Sequence, residues 1–300
     1  MNPVMPMIAA RLFGAPLMAE PTKAGIVARA FGPRVLGGDV VVAGDVNMGV
    51  LNEPLRSATD GWGDQIYRGP EKITDRIGFV AIEGVLVNKG TWIGKACGET
   101  SYEAISIQVA DLAADTAIRG VVLEIDSFGG EVDGAFACAA DIAALSAVKP
   151  TIAILTDHAC SAGYLLASAA RSIIIPATGY AGSIGVISLH ASYAAALDKA
   201  GIAVTVLRAG EKKARPTEFE AMTEAEYAER IAELEELRGE FAAAVARHRG
   251  GRMTRDAALA TEAAIYRGQK AVDIGLCDAV ARPKDALAAF MAELDATASA

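Results

Sequence analysis

The sequence predicts an α/β fold with a largely parallel, helix-covered sheet. Two patterns predict it. Between residues 78 and 208, short apolar runs rich in Val and Ile alternate with helical stretches, and right-handed crossovers turn that order into a parallel sheet. Beyond residue 220 the pattern is helical almost to the end. Ahead of both, residues 1–73 are frequent in Gly, Pro and Met and weakly periodic, punctuated by Gly61-Trp62-Gly63 and Gly69-Pro70. The expected organisation is a partly ordered amino-terminal arm over 1–73, one body over 74–283, and an amphipathic helix with a tail over 284–300.

Taken in order, residues 78–87 are an apolar, β-branched run around Gly84, a strand or kinked hairpin. A loop over 88–100 precedes Ser101-Tyr102-Glu103, which opens a helix with Ile105, Val109 and Leu112 at helical spacing. The strand over 119–126 ends in the turn Ser127-Phe128-Gly129-Gly130, and a helix over 131–145 follows. Thr151–Leu155 is a core strand. Asp157 to Tyr164 then turns into a small-residue helix over 161–170. A short strand (172–176), a glycine loop (179–185), an apolar stretch (186–189), a helix (191–200) and a strand (203–208) follow. Thr223-Glu224-Ala225-Glu226 is a capping box opening a long helix, with Tyr227, Ile231, Leu234, Phe241 and Val245 as its apolar stripe. Shorter helices are expected near 254–261 and 268–274.

Composition excludes several classes. A formal net charge of −9 gives no electrostatic basis for binding nucleic acid or anionic lipid. The four cysteines, Cys97, Cys138, Cys160 and Cys277, show no C-x-x-C spacing and read as reduced thiols. No stretch reaches the ~18 uncharged apolar residues of a membrane span, and Arg11 and Pro16 break any signal-peptide pattern. Histidines and carboxylates do not fall at metal-ligand spacing, so neither metal nor cofactor is expected.

Chemistry centres on Ser161, at a strand-to-helix turn where unpaired backbone N–H groups favour negative charge. On this stretch alone, an N-cap serine without chemistry is an equal reading. Gly129 and Gly130, at the carboxyl end of a strand, suit an oxyanion hole. Lys212 and Lys213 are candidate bases, provided that burial keeps an amine neutral. Among three histidines, His190 is the rival base, His158 lies too near Ser161 along the turn, and His248 sits at a helix end. Cys160 is an alternative nucleophile.

Together, Asp126 to Gly130, Ala159 to Tyr164, Ala181 to Val186, Lys212-Lys213 with Met222-Thr223, and the tail Tyr266 to Asp278 resemble the signal peptide peptidase A (protease IV) family of serine peptidases. The likeness covers about residues 78–281. Pro16-Leu17-Met18-Ala19-Glu20-Pro21, Ser101-Tyr102-Glu103 and Thr261 to Tyr266 are most similar to its phage prohead-protease (minor capsid protein C) branch. This resemblance implies the ββα spiral of ClpP and crotonases. It implies Ser161 as nucleophile, Lys213 as general base, Ser183 as the residue orienting that lysine, and Gly129 and Gly130 as the oxyanion turn. Phe128 stands where a proline is frequent. It further implies capsid, scaffold or portal proteins as substrates, a homo-oligomer with active sites near subunit boundaries, and a place in the host cytoplasm or prohead interior. Rival readings are a bacterial cytoplasmic peptidase of the same family, an acyl-CoA-binding crotonase, a ClpP-like enzyme using His190, and a catalytically inactive capsid or scaffold component.

Overall fold

A computed structural model describes residues 17–19, 71–74, 76–89 and 99–298. Most of the expected arm, and Cys97 with it, lies outside the described residues. The strands are β1 (Leu17–Ala19), β2 (Glu71–Thr74), β3 (Ile77–Val87), β4 (Glu99–Ser101), β5 (Gly120–Glu131), β6 (Thr151–Cys160), β7 (Ser172–Ile175), β8 (Tyr180–Gly182), β9 (Ile265–Arg267) and β10 (Ala279–Val280). The α-helices are α1 (Tyr102–Ala114), α2 (Ala135–Val148), α3 (Ala162–Ser168), α4 (Ala194–Lys199), α5 (Glu224–Arg249), α6 (Arg255–Ala260), α7 (Gln269–Asp273) and α8 (Pro283–Ala298).

The sheet runs β10-β7-β6-β5-β3-β2, parallel throughout except for the antiparallel edge strand β2. β3, β5 and β6 are long because each serves two partners in succession along one edge, β5 pairing with β6 and then with β1. β3 pairs with β5 along its length, and its last residues, Val85 to Val87, also pair with β4. β6 gives Ile152–Ile154 to β7 and His158–Cys160 to β8. The register breaks at Gly84/Val85 and at Ile125/Ser127, where the strands bend from one layer into the next. Strand, bent strand and helix therefore repeat as a ββα spiral. Gly84, at φ 69°, is the kink in β3, which continues as one strand and does not fold into a hairpin.

Alternation along the strands supplies two cores. Val121, Leu123, Ile125, Ala153 and Leu155 face α1, α2 and α3 in the main core. Val122, Ile152 and Ile154 face the other way, onto Ala286, Phe290 and Leu294 of α8. This is the period-2 pattern of a sheet buried on both faces. The carboxy-terminal helix is thus the cover of the sheet's second face. Ser101 caps α1 by accepting from Ala104 N–H, and Thr223 with Glu226 forms the capping box of α5.

Two expectations are corrected. The strand over 203–208 is irregular chain, with Val204 and Leu207 exposed and no strand partner among the described residues. Its β-branched residues have no sheet edge beside them, and propensity alone does not make a strand. The apolar stripe of α5 is buried only in its second half: Phe241 and Val245 are in the core, while Tyr227 and Ile231 face outward. No helix among the described residues is long and apolar enough to cross a membrane.

Candidate active site

Strand β6 delivers Ser161 directly into α3. Its backbone is forced to φ 56°, ψ −121°, a conformation costing roughly 1–3 kcal/mol for a non-glycine residue. The surroundings hold it there. Ser161 N–H donates to Gly182 O at 2.8 Å, and Ser161 O accepts from Leu165 N–H at 3.0 Å. The side chain is fully buried, and Oγ makes a long contact of 3.4 Å with Gly185 O. Such a sharp strand-to-helix turn aims a hydroxyl away from the helix it begins. The next N–H, that of Ala162, is the first of the helix, where no intrahelical carbonyl reaches it.

Gly129 and Gly130 are brought to this turn, each as glycine for a different reason. Gly129 has φ 96°; a Cβ there would run into Met18 O and stand 2.9 Å from Ser161 Cβ and 3.0 Å from Ala162 N. A Cβ on Gly130 would strike the Leu86 carbonyl of β3. Ser127 Oγ donates to Gly84 O at 2.7 Å and accepts from Gly129 N–H at 3.1 Å, so that N–H points at Ser127. Gly163 lets α3 lie against Ser127; its Cβ would come 2.9 Å from Ser127 O.

Ser183, with φ 56°, is buried in the loop after β8, between Gly182 and Gly185, which both contact Ser161. The lysines are elsewhere. Lys213 is exposed, and among the described residues its amine makes no hydrogen bond or ion pair, with Ser161 or any other. Lys212 is exposed and donates to Glu229 at 2.7 Å; that hydrogen bond raises its pKa, the wrong direction for a base. His190 is exposed on the chain before α4. Cys160 is fully buried beside Ser161, and Cys138 and Cys277 are thiols pushed up to about 12 by burial.

Relatives of known family share this chain's sequence. Residues 143–297, just over half of the chain, match Peptidase family S49. The capsid assembly protease C of Escherichia phage lambda is 31% identical over 98% of this chain and 67% of its own length. This chain belongs to peptidase family S49. The head-tail preconnector protein GP5 of Enterobacteria phage P21 is 32% identical over 96% of this S49 chain and 57% of its own length. The chain therefore spans about two thirds and somewhat over half of these two phage relatives. A putative signal peptide peptidase SppA of Enterococcus faecium is 24% identical over 75% of the chain and 68% of that protein. A solved enoyl-CoA hydratase/isomerase family member superposes with a TM-score of 0.43 at 17% identity, over 74% of each chain. The spiral described above rests on the strand register and not on that likeness.

The S49 chain also holds site features that sequence spacing did not show. Parallel pairing of β5 and β6 brings Asp126 beside Asp157 and His158, with ligand atoms within 4.8 Å of one another. His158 Nδ1 lies 3.2 Å from the Asp157 carboxylate and 3.5 Å from that of Asp126, and the ring packs between Phe128 and Tyr180. Sequence spacing missed this group because Asp126 is on another strand. Ser127 was legible only as part of a turn, and its bond to Gly129 N–H needed the fold. The pairing of β1 with β5 had no local signal, since three residues are too few for periodicity.

Proposed function

We propose that this chain is a serine endopeptidase that matures a phage or prophage prohead, using Ser161 as nucleophile and Lys213 as base. The observation that carries the reading is the strained, fully buried Ser161 at the head of α3, next to Gly129 and the Ala162 N–H. A backbone held at this cost is a mark of a functional site. Ala162 N–H and, once released from Ser127, Gly129 N–H are the oxyanion donors, with Gly130 fixing the turn; each donor is worth roughly 2.7–4 kcal/mol.

In the proposed reaction the neutral Lys213 amine takes the Ser161 Oγ proton. The oxygen forms a bond to the peptide carbonyl carbon. The leaving amine departs with a proton returned by the lysine, and water then hydrolyses the ester. Ser183 would orient the amine. Lys213 reaches Ser161 of a neighbouring copy, so the working form is a homo-oligomer. Support comes from the segment that bears it: Ile202, Val204, Leu207 and Phe219 are all exposed apolar residues there. Surface of this kind marks protein contact sites. The substrates, on this reading, are capsid, scaffold or portal proteins, like the function named for the lambda relative.

The test is incubation with candidate capsid and scaffold proteins, with new termini mapped by mass spectrometry, for the parent chain, Ser161→Ala, Lys213→Ala and His190→Ala. Cleavage lost in the first two variants and kept in the third is expected. Activity kept without Lys213 and lost without His190 would overturn the dyad.

A further inference from the structure

The one amino-terminal stretch that the structure describes, β1, lies along the end of β5 beside the Ser161 turn. On one side Gly129 and Gly130 pair with Val85 and Leu86 of β3. On the other side β5 pairs with β6 as far as Ser127 and Ala159; β6 then turns away into Ser161. That divergence leaves the Gly129–Glu131 edge open beside the serine. β1 fills it as an antiparallel strand, with Leu17 opposite Glu131, Met18 opposite Gly130 and Ala19 opposite Gly129. A Cβ on Gly129 would run into the Met18 carbonyl and stand 2.9 Å from Ser161 Cβ and 3.0 Å from Ala162 N, so β1 and the serine turn close on the same glycine. The Met18 side chain is wholly buried in the main core.

An open strand edge beside a nucleophile is a template for an extended peptide, with main-chain hydrogen bonds giving affinity and a side-chain pocket giving selectivity. The sequence of the occupant suits that role. Pro16 and Pro21 bracket it, and proline is tolerated on edge strands and biases the preceding residue to extended backbone. The absence of a Cβ at Gly129 is what admits the occupant's carbonyl.

We propose that Leu17–Ala19 is a resident occupant of the Gly129–Glu131 edge, anchored by Met18 in its pocket, and that an extended peptide with a flexible apolar side chain must displace it to reach Ser161. This rests on the peptidase reading for what enters the groove, but the occupancy itself does not need catalysis. Gly129 N–H, bonded to Ser127 while β1 is in place, belongs to the same resting arrangement.

The experiment uses the full chain carrying Ser161→Ala, so that nothing is cleaved, and a fluorescein-labelled peptide of residues 14–21. Anisotropy titrations compare this chain with the same chain carrying Met18→Asp, which ejects β1, or Met18→Ala, which loosens it. Binding to the Met18→Asp chain is expected to be at least about tenfold tighter, as for a groove free in a tenth of the molecules or fewer, with Met18→Ala between. Equal affinity for all three chains, or no binding to any, overturns the proposal. Should Met18→Asp fail to melt cooperatively, hydrogen exchange on the Ser161→Ala chain decides the same question. Added peptide is expected to deprotect amides 17–19 while 129–131 stay protected; no change at any peptide concentration contradicts it. Labelling of Ser161 by a serine-directed reagent in the chain with Ser161 intact reports the peptidase reading separately. Absent labelling alongside discriminating peptide binding would remove that reading and leave the occupancy standing.

Discussion

The turn carrying Ser161 and the segment carrying Lys213 are built in opposite ways. Residues 161–170 are buried at every position, and Ser161 is fixed by bonds to Gly182 and Leu165 and by the glycines around it. Residues 201–215, by contrast, are exposed almost throughout and contain no helix or strand. A nucleophile has to be held still to within a fraction of an ångström, and packing does that. The lysine segment has no such packing within one chain. Within one chain, then, the fold fixes Ser161 and leaves Lys213 unfixed; on the proposed reading a second copy supplies what the single chain lacks.

The strongest way to break this contrast is at the serine. Ser161→Ala is expected to abolish cleavage and serine-reagent labelling with little change in melting temperature, since it removes one atom from a buried turn. Gly129→Ala, by putting a side chain at φ 96° with its Cβ 2.9 Å from Ser161 Cβ and 3.0 Å from Ala162 N, should shift the Gly129 N–H off the oxyanion position and cost about 10²-fold or more in rate, the effect of a misplaced donor. Unchanged turnover in either variant would separate this turn from the chemistry. On the lysine side, Lys213→Ala should cost about 10²–10⁴-fold, the range of a general base, while Lys212→Ala leaves the rate unchanged because its amine is held charged by Glu229.

The same contrast explains what was legible in the sequence. The strands and helices of the body show in the apolar periodicity because their residues pack on both faces of a sheet. β5 and β6 run further than their apolar stretches suggested, to Glu131 and Cys160, because the bend places Ser127, Asp157 and His158 on strand backbone. The run Ala203 to Arg208 reads as a strand by composition and is not one, since its apolar side chains have nothing to pack against in the single chain. Ser161, Ser183, Gly129 and Gly130 converge in space because three motifs, weak singly, sit at the ends of neighbouring strands. The lysines carry no such signal.

Two smaller effects sharpen the comparison. Phe290→Ala, which empties the core beneath α8, should destabilise by roughly 3–5 kcal/mol in chemical denaturation. Leu207→Asp on the exposed segment should instead leave monomer stability unchanged while lowering the solution mass and the rate together; a full-size assembly with this change would detach Leu207 from the contact. The smallest effect is one of pH. His248 is held by burial at a pKa of about 4, with Nδ1 2.9 Å from Ser168 Oγ. The unfolded chain takes up that proton near the ordinary histidine value and the folded chain does not. Stability should therefore fall as pH drops from about 6.5 towards 4, and His248→Gln should flatten that part of the profile measured by thermal melts.

The central claim, that serine and lysine meet across a boundary between copies, is tested most directly by co-assembling Ser161→Ala chains with Lys213→Ala chains. Each variant alone is expected to be inactive. The mixture is expected to cleave, because some sites combine an intact serine from one copy with an intact lysine from another. A mixed assembly that forms yet shows no activity would contradict the account.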